Sequence, residues 1–521
     1  MSAPRRALPA RPSLEHQKKL AKELLAEFRR GDPAAVERIR AELPDKPRVG
    51  LMDAQFVLAR EYGFQNWASL SAHIDAVTMS KLPLVDRFKR AVDRGDAAAL
   101  RRMKSERAEL QTIINEPIFA FGAPALNTAG DNPDVTDALL ELGADPNRRS
   151  DWWAGGFHAL HGASPAVAER LLAAGAVPDA CALAHLDRYD DLVAMLDAEP
   201  ARVHERGGDG QTPLHFARSV RVTDLLLARG ADIDARDVDH RSTPAEWMIG
   251  DADTVKSRLS IAQHLVARGA SCDIFLAAAT GNTARARSLL EADPSLLDLR
   301  TGQGNYAEQK PSSYHIYLWT IGSNLTPLET ASKFHQQETL NAMRAFASPA
   351  QRLLLACHDG DADEARSIVR DNPGIVEGLD ETDRRALTDE AWLPNPKAVA
   401  LMLEVGFDPA APSTSGPTGG SALHCAAWEG SAEAVAAILR YSRGKALIGT
   451  RDPVYGGTPL NWCCHGSLNC HNPRADHAEV ARQLIAAGAQ TGGDHEASDA
   501  VLAVIDEAQQ SMESGTGGRA S

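Results

Sequence analysis

Between Asn461 and Val480 the chain reads NWCCHGSLNCHNPRADHAEV, which holds Cys463, Cys464, His465, Cys470, His471 and His477. Thiolates and imidazoles are zinc ligands, and a structural zinc site needs four of them converging. The stretch has no C-x₂-C pair, so neither metal nor cofactor is expected. Two other segments carry acid–base groups. ARDVDHRSTPAEWM (Ala235–Met248) sets Asp237, Asp239 and His240 ahead of Glu246 and Trp247, and PSSYHIYLWTIGS (Pro311–Ser323) sets His315 and Tyr317 among Tyr314 and Trp319. A carboxylate beside a histidine can move protons, while the aromatic rings can anchor a ligand or fill space. Asp151, Trp152, Trp153 and His158 form a third group of this kind. No Walker loop, dinucleotide glycine motif, H-E-x-x-H helix or Ser-His-Asp order occurs. An active site would therefore have to be assembled from several distant segments.

The elements that must position these groups announce themselves by repetition. LGAD (Leu142–Asp145), AGAV (Ala174–Val177), RGAD (Arg229–Asp232), RGAS (Arg268–Ser271), VGFD (Val405–Asp408) and AGAQ (Ala487–Gln490) each close an apolar helical run. Glycine ends such a helix because it accepts positive φ. A second marker opens helices: GQTPLHFA (Gly210–Ala217), RSTPAEWM (Arg241–Met248), NLTPLETA (Asn324–Ala331), GGSALHCAA (Gly419–Ala427) and GGTPLNWCC (Gly456–Cys464). Threonine caps the N-terminus, and proline sits where its missing N–H is harmless. Thr212 and Thr243 are about one 33-residue period apart.

The stretch Asp209–Asp237, DGQTPLHFARSVRVTDLLLARGADIDARD, resembles an ankyrin repeat, with Thr212, Pro213, Leu214, His215 and Ala217 on the family motif. The repeat opening at Gly419 matches as well. The resemblance implies an all-α ankyrin-repeat solenoid with β-hairpin loops, an irregular array of about a dozen helix pairs over residues 82–508. Some pairs end in Asp-Pro or Asn-Pro stops, and an inserted finger, β-prone and aromatic, is expected near 303–323. Residues 14–78 resemble the helical module found before ankyrin repeats in many bacterial proteins, with Tyr62, Gly63, Phe64 and Trp67 matching; a capping role follows. Residues 1–13 and 509–521 are expected to be disordered.

The resemblance also assigns faces. Hairpin tips and first helices line the concave groove, which puts Trp428 and Glu429 on its wall, His465 at the corresponding place one repeat on, and Asp251 nearby. Trp152, Trp247, Trp319 and Trp462 complete the expected binding set. Cys463 and Cys464 take alanine places between helices, Cys470 and His471 fall in a loop from Gly466 to Ala475, and His215 and His424 take the family's capping role. The implied function is binding of a protein or peptide partner in the groove, through aromatic anchors rimmed by acidic hairpins that suit a basic surface. The alternative is an enzyme or small-molecule-binding protein, its pocket built from several repeats and lidded by the finger. His240, Glu246, His315, Tyr317, Glu429 and His465 would be its acid–base and orienting groups.

Composition agrees with both. The 521 residues carry a net charge of −15, with no basic excess to displace counterions from nucleic acid. No apolar run approaches the roughly 18 residues of a membrane span, and MSAPRRALPARPS lacks the apolar core of a secretory signal. A cytoplasmic protein with reduced thiols is expected, since seven cysteines in so long a chain make no disulfide framework.

Overall fold

The computed structural model of the chain describes residues 6, 8–9, 12–46, 49–79, 83–250, 258–411, 419–492 and 495–516. Helices make up its regular structure; among the described residues the only β pairing is two isolated bridges, Phe119 with Ala123 and Gln309 with Ser312. No described helix is long and apolar enough to cross a membrane. The chain divides into two compact units, Met1–Arg148 and Arg149–Ser521.

In the first unit, helices Leu14–Arg29, Pro33–Glu42, Leu51–Glu61 and Trp67–Met79 close over Leu24, Ile39, Leu58, Leu70 and Ile74, all essentially inaccessible to solvent. Arg38 ties the second helix to the third by donating to both carboxylate oxygens of Glu61, at 2.8 and 3.0 Å. Shorter helices follow from Leu84 to Leu142.

The second unit is a succession of short helix pairs in which first helices pack on first helices and second on second. Ala180–His185 packs on Pro213–Phe216, that on Pro244–Met248, and later Ala386–Trp392 on Ala422–Trp428 and that on Pro459–Asn469. Small buried residues permit the close approach: Ala277, Ala278 and Ala279 in one helix, Cys425, Ala426 and Ala427 in another, Cys463 and Cys464 in a third. The two adjacent cysteines thus sit where an alanine pair would, as small apolar groups.

Local chemistry dictates where each pair starts and stops. Thr212 and Ser421 cap their helices, and the histidine three residues on completes each cap: its Nδ1 accepts from the cap residue's backbone N–H, at 3.0 and 3.3 Å. The far side of each ring reaches the next loop, His215 Nε2 to Ser242 O and His424 Nε2 to Thr450 O, both at 3.1 Å. Burial holds the His215 ring down to about pKa 3, so it stays neutral and can accept and donate at once. At the other ends, Gly230 (φ 88°) and Gly488 (φ 108°) turn into the left-handed region that closes the helix.

Four sequence expectations change. The connecting loops close through isolated backbone bonds, such as Asp237 N to Ser242 O at 3.0 Å and Asp452 N to Gly457 O at 2.9 Å, and form no strand ladder among the described residues. The segment near 303–323 is no β finger; Tyr317–Thr320 is helical, because Ile316, Tyr317 and Ile321 bury and pull the segment onto the stack. The helix Pro459–Asn469 runs three residues past Gly466 before the loop begins. Residues 509–516 continue the final helix, Asp499–Thr516, instead of forming a free tail.

Candidate functional site

Three consecutive first helices carry a large ring at one position. Trp392, Trp428 and His465 each stand seven residues after their cap residues Arg385, Ser421 and Thr458 (392 − 385, 428 − 421, 465 − 458), so stacking the helices stacks the rings. Trp392 and Trp428 lie nearly parallel, 14° between planes and 6.2 Å between centroids. Trp462 meets both edge-on at 6.3 and 6.2 Å, and His465 meets Trp428 edge-on at 5.2 Å.

The loop before the last of these helices closes the wall. The Asp452 carboxylate accepts backbone N–H bonds from Val454, Tyr455 and Gly457 at 2.9, 2.6 and 2.7 Å, and the Trp462 indole N–H at 3.0 Å. Burial works against the charge, yet these donors hold the carboxyl down to about pKa 2. The loop needs its glycines: a Cβ on Gly457 would meet Asp452 Oδ2 at 3.1 Å and Trp462 Cδ1 at 3.2 Å. The turn leaves Tyr455 71% exposed at the mouth. Together these groups line a cavity of about 670 Å³, whose walls are Trp392, Trp428, Trp462, His465, Tyr455 and Arg451, with Asn461 at the base of the helix. A cavity that size, mostly aromatic and with a few polar groups, is a ligand site in form.

The expected site residues divide between this pocket and a second place. Trp428, Trp462 and His465 line the pocket, although Trp462 is buried and its N–H is committed to Asp452, which makes it wall and not an exposed anchor. Glu429 is next in sequence but turns away; the Cys470 thiol donates to its Oε2 at 3.5 Å, and burial pushes its carboxyl up. His477 donates to the Trp428 carbonyl at 2.8 Å, Cys463 to the His477 carbonyl at 3.3 Å, and Cys464 lies 3.8 Å from His495. Cys463, Cys464, Cys470 and His477 thus each face a different partner.

His240, Glu246, Trp247, His315, Tyr317 and Trp319 gather far along the stack, around the 303–323 segment. His315 Nε2 lies 3.5 Å from Glu246 Oε2, and Glu246 caps its own helix by accepting Thr243 N–H at 2.7 Å. Tyr306 and Tyr317 both donate to Asp273 at 2.9 Å, and Tyr317 is fully buried. Burial first, then the nearby Glu246 charge, pushes the Asp273 carboxyl up. His240 donates to Tyr314 O at 2.8 Å between the rings of Trp247 and Trp319, whose centroids are 5.2 and 4.7 Å away. Ser313 N–H to Asp239 O at 2.9 Å and Arg241 to Ala307 O at 3.0 Å stitch the segment to the 237–242 loop. It is therefore no lid, and no residue of it lines the aromatic pocket. Trp152 spends its N–H on Asp209 Oδ1 at 3.0 Å, and Asp251 lies outside the described residues.

Two features escape the sequence reading. Trp392 carries no T-P-L-H marker, though ALTDEAW repeats the spacing of ALHCAAW. Glu329, His358 and Glu390 also converge, their ligand atoms within 4.8 Å of one another. Each is already partnered: His358 Nδ1 lies 2.7 Å from Glu390 Oε1, Asn395 donates to Glu390 Oε2 at 2.7 Å, and Glu329 accepts Thr326 N–H at 2.7 Å. Burial opposes charge on the His358 ring, but the bond to Glu390 and the surrounding carboxylates outweigh it and raise the ring to about pKa 9.

With this geometry in view, residues 209–238 match the family model of the ankyrin repeat. No curated protein matches the chain. Among the solved structures that match is the ankyrin repeat domain of Bcl-3, described as a unique member of the IkappaB family; it is 18% identical, with 45% of this chain and 98% of that chain covered and a TM-score of 0.27. At that score the assignment stands on the coordinates themselves: capped short helix pairs, glycine-closed and stacked first on first, around one matched repeat. The fold is all-α and of ankyrin-repeat type.

Proposed function

We propose that the protein binds a protein or peptide partner and that the aromatic pocket of Trp392, Trp428 and Trp462 seats the partner's anchoring side chain. One observation carries this reading: large rings recur at one position on three consecutive helices and enclose an open cavity of about 670 Å³. Ankyrin repeats as a class mediate protein–protein interaction, and interface energy concentrates where a few aromatic residues lie in a desolvated pocket. The net charge of −15 favours a partner with a basic surface around that anchor. An enzymatic reading has less support, because Glu246, His315 and Tyr317 are buried and their polar atoms engaged, while Glu429 and His465 belong to another part of the stack.

The test is selection of peptides from a displayed library on the intact protein, followed by titration of the selected peptides against Trp428→Ala and Trp392→Ala. Each variant should weaken binding at least tenfold while the helical circular dichroism is unchanged. Selected peptides that bind both variants as tightly as the wild type would remove the pocket from the binding site.

A further inference from the structure

We propose that the pocket selects an aromatic ring that carries a carboxylate; this rests on the reading that the pocket is the binding site, and names what it reads. The walls are three indole rings, which match a flat apolar body. Two polar side chains at the cavity, Asn461 and Arg451, present donors to it. Asn461 uses its Oδ1 to accept Thr458 N–H and Oγ1–H at 2.9 and 2.8 Å, which leaves its NH₂ without a partner in the described chain. Arg451 gives one N–H to Gly456 O at 2.6 Å, and no described carboxylate lies within ion-pair distance of it, so the rest of its planar fork is open.

Carboxylates are correspondingly absent from the described lining. Asp452, in the loop that edges the cavity, is consumed by three backbone N–H groups and the Trp462 N–H, and Glu429 is turned to Cys470. A cavity without acids, beside an unpaired arginine, runs against the charge of a chain with 15 more acidic than basic side chains. Charge also decides against the other occupant that aromatic walls invite. A quaternary ammonium or alkylated lysine is held by ring faces, but it needs a carboxylate or at least no fixed cation nearby, and Arg451 would repel it. A planar guanidinium instead pairs with a carboxylate through two parallel N–H bonds.

One chemistry can come from two sources: a free aromatic acid, or the last residue of a polypeptide with its terminal carboxylate. Calorimetric titration of the full chain with four probes separates them: N-acetyltryptophan, its amide, acetyl-Gly-Gly-Gly-Trp with a free carboxylate, and the same peptide amidated. Both carboxylates should bind at least tenfold tighter than their amides, Arg451→Gln should reduce that preference to within twofold, and Arg451→Lys should keep part of it. A peptide acid that binds more tightly than the free acid assigns the site to a chain terminus, and equal affinity assigns it to a small molecule. Amides binding as well as acids, a preference that survives Arg451→Gln, or no binding by any probe would each overturn the proposal. The first two of these leave the pocket as a binding site, and only library-selected peptides that bind both Trp428→Ala and Trp392→Ala as tightly as the wild type remove it.

Discussion

At the scale of single residues, two ionisable groups pull stability in traceable directions with pH. His358 titrates near 9 in the folded chain against an unperturbed 6.5, so its pair with Glu390 contributes fully below about pH 6.5 and is lost as pH rises through 9. The melting temperature of the wild type should therefore fall between pH 6.5 and 9.5, and His358→Gln should start lower and fall less; parallel curves would show that the pair contributes nothing. Asp209 behaves oppositely to an ion-paired carboxylate. Burial lifts it to about 6 from 3.8, so the ionised form is disfavoured in the fold and stability declines as pH rises from about 3.8 through 6. Asp209 also sits at φ 55°, a conformation asparagine tolerates, and its Oδ1 accepts the Trp152 N–H. Asp209→Asn should accordingly raise the melting temperature at pH 7, with the gain vanishing below pH 4.

At the scale of the helix, the caps do two jobs that can be separated. His424 completes the cap of its own helix through Nδ1 and reaches Thr450 O and Gly457 O, at 3.1 and 3.2 Å, through Nε2. Asn461 does the first job alone for Thr458. His424→Asn should then keep the cap and lose the reach, at a cost of about 1 kcal/mol, and His424→Ala should lose both, at about 2–3 kcal/mol, measured by urea unfolding. Equal costs would mean that the second bond is idle. These caps were readable from T-P-L-H and its variants, as were the glycine ends, because each depends on a few adjacent residues. What sequence could not supply was any feature fixed by packing. The aromatic run at Tyr314–Trp319 looks β-prone, yet burial of Tyr317 and Ile321 makes it helical. Trp462 looks like an anchor until Asp452, ten residues earlier, takes its N–H. Trp392 belongs to the pocket only because its helix stacks on the next.

At the scale of the second unit, most described buried apolar residues fall in two clusters, one drawn from Ala180 to Leu355 and one from Leu353 to Ile505. Where repeats touch only their neighbours, damage stays near its source. Hydrogen exchange of His424→Ala should quicken for amides between about 386 and 486, with those of 180–230 unchanged; uniform acceleration would show one cooperative block. The pocket inherits the same locality. Its rings recur at intervals of 36 and 37 residues (428 − 392, 465 − 428), the length of one repeat. Such a wall can be lengthened by copying a stretch of gene: one in-frame duplication adds one more ring in line with the others, and a longer recognition surface arises without a single new contact having to be invented.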